Sequence, residues 1–275
     1  LVPWSNRNRA LAAGLAGGLA VLLDYSGLIP LVALFAWLLL RQRRDTAWYA
    51  LGAAGPIFLL WFYQWRSFGH PFFPGQHWMP PVEWIERGYQ GVSGPQLELA
   101  IALLADYRFG LFVSCPLLLL ALAAPWKGRL ARPHLLFPFA VFVLFWVFFS
   151  SVNYTRLQYN TGVRYMVPAI PFLFLPVASV LAELPRGVAY LASAAALAQA
   201  WAMAMYRDVE RGLGIVEPLL NVLLGGFQLP ALTVLSRIGG GTEYFERGVS
   251  PLALFALAAA VIYGIWTWKS ADSTH

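Results

Sequence analysis

Apolar stretches of about twenty residues recur along this 275-residue chain, and nothing else constrains its fold so strongly. A helix rises about 1.5 Å per residue, so about 20 apolar residues cross the roughly 30 Å hydrocarbon layer of a bilayer. Six windows have that length: Thr46–Gln64, Tyr107–Ala124, His134–Val152, Arg164–Ala182, Gly187–Met205 and Ser250–Trp268. Pro56, Pro138, Pro168 and Pro171 fall inside them. Membrane helices tolerate such prolines because neighbouring groups re-satisfy the freed carbonyls. The expected fold is all-α: a polytopic transmembrane bundle of about six full spans and an N-terminal hairpin, forming one helical domain over residues 1–275.

The hairpin is expected at 10–40. Ala10–Leu40 is too long for one straight span and carries Asp24-Tyr25-Ser26-Gly27 near its middle. Arg7 and Arg9 precede it, and Arg41, Arg43 and Arg44 follow it. Cytoplasmic loops are enriched in Lys and Arg, so both ends are placed inside. The run is then either a helical hairpin or a short interfacial helix followed by a span. Gly14-x-x-x-Gly18 has the spacing that lets helix backbones approach closely. An acid in an apolar run is costly unless it is paired or faces water, so Asp24 marks a polar turn or a functional group.

Charge supports this arrangement. With the hairpin ends inside, ten cations (Arg7, Arg9, Arg41, Arg43, Arg44, Lys127, Arg129, Arg132, Arg186, Lys269) face three acids on the cytoplasmic side, the outer segments balance at nine against nine, and Asp24, counted within the membrane, is the remaining acid. The net charge of +6 therefore reads as a topology signal, not as a nucleic-acid footprint. With 59% apolar and only 12% charged residues, an ordinary soluble domain and a disordered chain are both excluded. The single Cys115 excludes an internal disulfide framework.

Two long segments, 65–106 and 206–249, are thereby placed outside. Glu217, Pro218, Asn221, Gln228 and Pro230 argue against a further span over 214–236, which reads instead as interfacial helices before a Gly239-Gly240-Gly241 hinge. If that segment did cross, Lys269 and the tail would move outside. The opening Leu1-Val2-Pro3-Trp4 has neither an initiator methionine nor a signal-peptide pattern, and it reads as the start of a fragment whose preceding helix is missing.

Phosphate-loop, H-E-x-x-H, G-x-S-x-G and C-x-x-C motifs are all absent. His70 and His77 lie near Glu83 and Glu86 and offer a divalent cation a weak set of ligands at irregular spacing; no metal site is assigned. Two Arg-Tyr groups are more informative. Arg108 follows Asp106-Tyr107, and Arg164-Tyr165 follows Asn153-Tyr154-Thr155-Arg156, both at outer span ends. The planar guanidinium fork matches phosphate oxygens, so Arg108, Arg164 and Tyr165 are candidates for gripping a lipid-linked phosphate. The plain alternative is snorkelling anchors, with Asp106 paired to Arg108. Asn153-Tyr154-Thr155 also matches the N-glycosylation pattern, but it lies beside a membrane boundary.

Four segments carry a resemblance: AGLAGGLAVLLDYSGLIPLV (Ala13–Val32), WRSFGHPFFPG (Trp65–Gly75), RFGLFVSCPLLLLAL (Arg108–Leu122) and GVRYMVPAIPFLFLP (Gly162–Pro176). In order and character they resemble the bacterial GT-C class of integral-membrane glycosyltransferases, the polyprenyl-phosphate-sugar enzymes related to protein O-mannosyltransferases and aminoarabinose transferases. The resemblance implies a bacterial inner-membrane protein whose active face is periplasmic. A sugar would leave a polyprenyl-phosphate carrier there for a lipid, glycan or protein acceptor, without nucleotide. It also implies a catalytic acid in the first outer loop of the whole enzyme, a loop this chain is expected to lack. Phe109 departs from the glycine common in the span-start motif, and beyond Pro176 only hydropathy is shared. The chemistry needs a general base and a cationic clamp for the departing phosphate. Asp106, Glu83 and Glu86 are the weak candidates for the base, and Arg108, Arg164 and Tyr165 those for the clamp. A secondary transporter or flippase, and a non-catalytic membrane scaffold, are the competing readings.

Overall fold

Ser5 starts the first helix by accepting the Asn8 N–H on its hydroxyl at 3.3 Å, a side-chain cap that satisfies one orphan donor. The computed structural model describes residues 5–156, 164–205, 216–225 and 252–271. Helix dominates them. There is no strand among the described residues, only isolated bridges from Tyr89 to Val92 and from Val92 to Val152. The chain divides into two compact units. One comprises Leu1–Leu104, Leu118–Leu157 and Tyr165–Ala189; the other comprises Ala105–Leu117, Gln158–Arg164 and Tyr190–His275.

In the first unit, α1 (Asn6–Leu23) ends where Asp24 turns extended, with φ −153° and ψ 132°. Its Oδ1 accepts the Ser26 N–H at 2.7 Å, a local bond that competes with continuing the helix. A 3-10 turn over Tyr25–Gly27 follows, and α2 (Leu28–Arg41) folds back along α1. The return is tight: a Cβ at Gly27 would lie 2.5 Å from the Ala20 carbonyl carbon. α3 (Arg43–Phe68) contains the expected span 46–64 and ends at Gly69, whose φ of +75° is the left-handed conformation of a helix stop.

α1 runs along α3 with backbone almost touching backbone. A Cβ at Gly14 would lie 1.9 Å from the Tyr49 carbonyl oxygen, one at Gly18 2.7 Å from the Ala53 oxygen, and one at Gly52 2.1 Å from the Leu11 oxygen. Small residues on both helices permit this approach, as in membrane helix pairs generally. Between the helices Tyr49 is 1% exposed and donates its hydroxyl to the Leu31 carbonyl at 3.1 Å, which ties α2 to the pair.

Two more helices complete this unit's core. α8 (Arg132–Ser151) packs on α9 (Ile170–Leu181), with Phe172 meeting Phe137 and Phe145 at 6.3 Å and Leu135 buried with Val180. Trp37 of α2 meets Phe137 at 5.7 Å. Short helices α4 (Glu83–Glu86) and α5 (Leu97–Ala105) lie in the segment 65–106. Trp146 of α8 donates its indole N–H to the Ala100 carbonyl at 2.8 Å and fixes α5 against it.

Two expected spans differ in form. Over 107–124 the chain makes a turn, then α6 (Leu111–Ser114), a non-helical Cys115 with φ −136° and ψ 69°, a 3-10 stretch Pro116–Ala123 and α7 (Ala124–Lys127). Pro116 lacks an N–H and its ring disfavours the helical region for the preceding residue, and here Cys115 leaves the helix and interrupts the run. Over 164–182, helix is confined to a 3-10 turn Val167–Ala169 and α9, because Pro168 and Pro171 sit in first turns, where a missing N–H costs nothing. Pro56 and Pro138 are inside continuous helices, as membrane helices allow.

In the second unit α10 (Arg186–Met205), whose first residues belong to the other unit, places Gln199 so that its amide donates to the carbonyls of Val113 and Ser114 at 2.9 and 3.1 Å. That amide serves the carbonyls beside the Pro116 break. α11 (Val216–Gly225) and α12 (Leu252–Ala271) are the remaining described helices. The rest of the segment 206–249, including the Gly239-Gly240-Gly241 hinge, lies outside the described residues. Among the described residues, two helices are long and apolar enough to cross a membrane, within His134–Ser151 and Arg186–Ala204.

Candidate functional site at the polar end of the first unit

The acid that interrupts the first apolar run is held by its neighbours, not left bare. Asp24 is exposed, yet its carboxylate is oriented by the Ser26 N–H. Next to it, the Tyr25 hydroxyl accepts from the Gln64 amide, and Gln64 is only 3% exposed near the end of α3. The turn between α1 and α2 and the final turns of α3 are thus tied at one end of the unit.

The α8–α9 connection reaches the same end. Tyr154, just after α8, packs its ring 6.1 Å from Tyr165, which itself lies 5.7 Å from Phe149. Burial raises the Tyr154 phenol above its ordinary value, and Tyr165 and the Asp24 carboxylate push it further the same way. The mutual field places Asp24 in the electrostatic neighbourhood of Tyr154. Tyr154 therefore stays a neutral donor across the physiological range.

Beneath the tyrosines, Asn153 is a buried clamp. Its Oδ1 accepts from Gln96 at 2.8 Å, and its amide nitrogen donates to the carbonyls of Arg87 and Gly91 at 3.2 and 3.0 Å. The clamp holds a tight hairpin, Tyr89 to Val92, whose central residues Gln90 and Gly91 have φ of 54° and 81°, the signature of a two-residue primed turn. With its amide committed and only 6% of its surface exposed, Asn153 is closed to glycosylation in the folded chain.

The sequence-derived candidates fall elsewhere or only partly here. Tyr165 belongs to the polar end. Arg164, the preceding residue, is exposed and is grouped with the second unit. Asp106 and Arg108, also in the second unit, form a closed turn: Oδ1 of Asp106 accepts the Arg108 N–H at 2.8 Å and lies 3.5 Å from Nε, while the guanidinium sits 5.4 Å over Tyr107 and Phe109. Glu83 is paired with Arg87 on an exposed face, and Glu86 is exposed at the end of α4. The histidines do not converge. Phe73 is stacked between His70 at 4.2 Å and His77 at 4.6 Å, and the Gln90 amide reaches Nδ1 of His77 at 3.1 Å. Among the described residues no group of three His, Cys, Asp or Glu side chains is arranged to hold a metal ion.

Sequence reasoning missed Tyr154 and Gln64 as companions of Asp24. The signal was available: each stands at a helix end that the charge count assigns to the outer side. No protein-family model, curated protein or solved structure matches the chain.

Proposed function

We propose that the chain is the membrane part of a glycosyltransferase of the GT-C kind, a multi-pass bundle in the bacterial inner membrane that moves a sugar from a polyprenyl-phosphate carrier to a periplasmic or lipid acceptor. One observation carries this reading: an oriented carboxylate, a buried amide and a tyrosine pair are gathered at the cation-poor end of the first unit. The opposite end carries Arg7, Arg9, Arg41, Arg43, Arg44, Lys127, Arg129 and Arg132. A bundle with one arginine-rich end and one polar, aromatic end has the asymmetry of a protein inserted with cations inside.

In this reading the acceptor hydroxyl attacks the anomeric carbon, its proton passes to Asp24, and the bond from that carbon to the phosphate oxygen breaks with its electrons on the phosphate. Tyr154 and Tyr165 position the sugar by donating to its oxygens, and the departing phosphate calls for a cation, a role for which Arg164 is the candidate by residue type. Asp106, Glu83 and Glu86 are less suited to the base role, because Asp106 and Glu83 already have cationic partners and Glu86 stands on an exposed helix end.

Purified protein in vesicles, given a labelled polyprenyl-phosphate sugar and a mixed acceptor fraction, should release polyprenyl phosphate. Arg164→Ala should weaken donor use by about tenfold, the worth of one charge-assisted phosphate contact. Absence of donor turnover in the wild-type protein, with the protein folded, contradicts the proposal.

The transporter reading has one observation in its favour, the interrupted helix at Cys115-Pro116 bridged by Gln199, since broken helices line transport sites in many carriers. Gradient-driven uptake without sugar transfer would favour it.

A further inference from the structure

The segment after α3 is an outer loop by sequence, but its side chains do not behave like those of a water-exposed loop. From Ser67 to Val82 there is no acid, lysine or arginine. Its rings turn back onto the last turns of α3: Phe72 meets Trp61 edge-on at 5.4 Å, and Trp78 stacks on Phe68 at 6.1 Å with the planes 5° apart. Packing on the helix end does not bury them. Phe72 remains 65% exposed, Trp78 49% and Met79 53%, alongside the exposed Phe62 and Trp65 of α3. Charge returns only at Glu83 and Arg87, which pair with each other on α4.

Exposed aromatic area of this extent is unfavourable against water, and a soluble surface would break it up with charge. Indole and phenyl rings on a helix end, with prolines and glycines between them, suit the boundary between headgroups and acyl chains. Arg66, in the last turn of α3, is the single charge between the apolar flank of that helix and Glu83, and its long side chain can reach the headgroups, so flank and loop belong to one lipid-facing surface.

We infer that residues 69–79 form a shelf seated in the outer headgroup layer, whose partner is the phospholipid surface, so that the water-exposed loop begins at α4. This rests on the membrane reading of the bundle, and the test separates the two. In a Cys115→Ser background, single cysteines replacing Phe72, Met79, Arg87 and Val143 are labelled with an environment-sensitive fluorophore. The full chain is reconstituted in phosphatidylcholine–phosphatidylglycerol vesicles. Val143 is on the exposed flank of α8, well inside its apolar run. The expected result is strong iodide quenching at position 87, loss of most of that quenching at 72 and 79 with quenching there by shallow spin-labelled lipid, and quenching by deep spin-labelled lipid at 143. Iodide quenching at 72 and 79 equal to that at 87, with 143 still quenched from the lipid, overturns the shelf alone and leaves a protein partner or a second copy as its occupant. Iodide access at 143 as well overturns the membrane reading and the shelf together.

Discussion

Gly14→Leu should leave little folded protein to purify. The α1–α3 crossing has no room for a side chain at this position, because even a methyl carbon would lie 1.9 Å from the Tyr49 carbonyl oxygen and 3.1 Å from the Ala53 nitrogen. The obstacle is backbone, which has no rotamer to escape into, so the helices must separate. Separation would also unseat Tyr49, whose hydroxyl bond to Leu31 holds α2. Overpacking a core costs about 1–3 kcal/mol and occasionally more, and this site belongs at the upper end, about 3 kcal/mol or beyond. In a bilayer the loss is not recovered by burial elsewhere, since close packing is itself a main source of helix association there. Thermal unfolding in detergent is the measurement. Gly52→Leu should behave alike, because a Cβ there meets the Leu11 oxygen at 2.1 Å. Gly55→Leu, one turn along the same helix with nothing within 4 Å, should unfold at the wild-type temperature.

Asp24→Asn should abolish most transfer while leaving the fold intact. An asparagine keeps an oxygen where Oδ1 accepts the Ser26 N–H, so the turn between α1 and α2 survives. What it loses is the ability to take a proton. General-base catalysis contributes about 10²–10⁴ in rate, so single-turnover transfer should fall by at least about a hundredfold with an unchanged melting temperature. Asp24→Ala removes both the base and the turn's acceptor and should lower activity and stability together. Wild-type turnover in the Asp24→Asn protein would remove Asp24 from the chemistry and reduce it to a capping residue.

Much of the helical content was legible because membrane-length apolar runs leave the backbone few alternatives to helix. The break at Asp24 was legible for the same reason: a carboxylate in an apolar run needs a local partner, and Ser26 supplies one. The break at Cys115 was not, since the run around it carries no charge and Pro116 looks like the tolerated Pro56 and Pro138. Position within the helix decides the difference. Pro56 and Pro138 stand inside long helices whose packing holds the rest of the backbone helical, whereas at Pro116 the chain leaves the helix at Cys115 and resumes as a 3-10 stretch.

The glycine spacing on α1 could be read, but not its partner. Nothing in Gly14-x-x-x-Gly18 says that Tyr49 and Ala53 of α3 will receive it, since that depends on how α2 folds back. The candidate site was legible residue by residue and not as an assembly. Tyr165 was singled out for the arginine beside it, whereas the structure relates it to Tyr154 and Asp24, residues 11 and 141 positions away in the sequence. Asp106 and Arg108 were correctly adjacent, yet their pairing closes the turn on itself.

The central claim is that the first unit stands across a membrane with its arginine-rich end inside. Tyr89 lies at the polar end and is 73% exposed; Trp126 lies at the arginine-rich end and is 76% exposed. In the Cys115→Ser background, a cysteine replacing Tyr89 should react with a membrane-impermeant maleimide on intact cells, and one replacing Trp126 should react only after permeabilisation. Equal labelling of both positions on intact cells, or labelling of position 126 alone, would contradict the account.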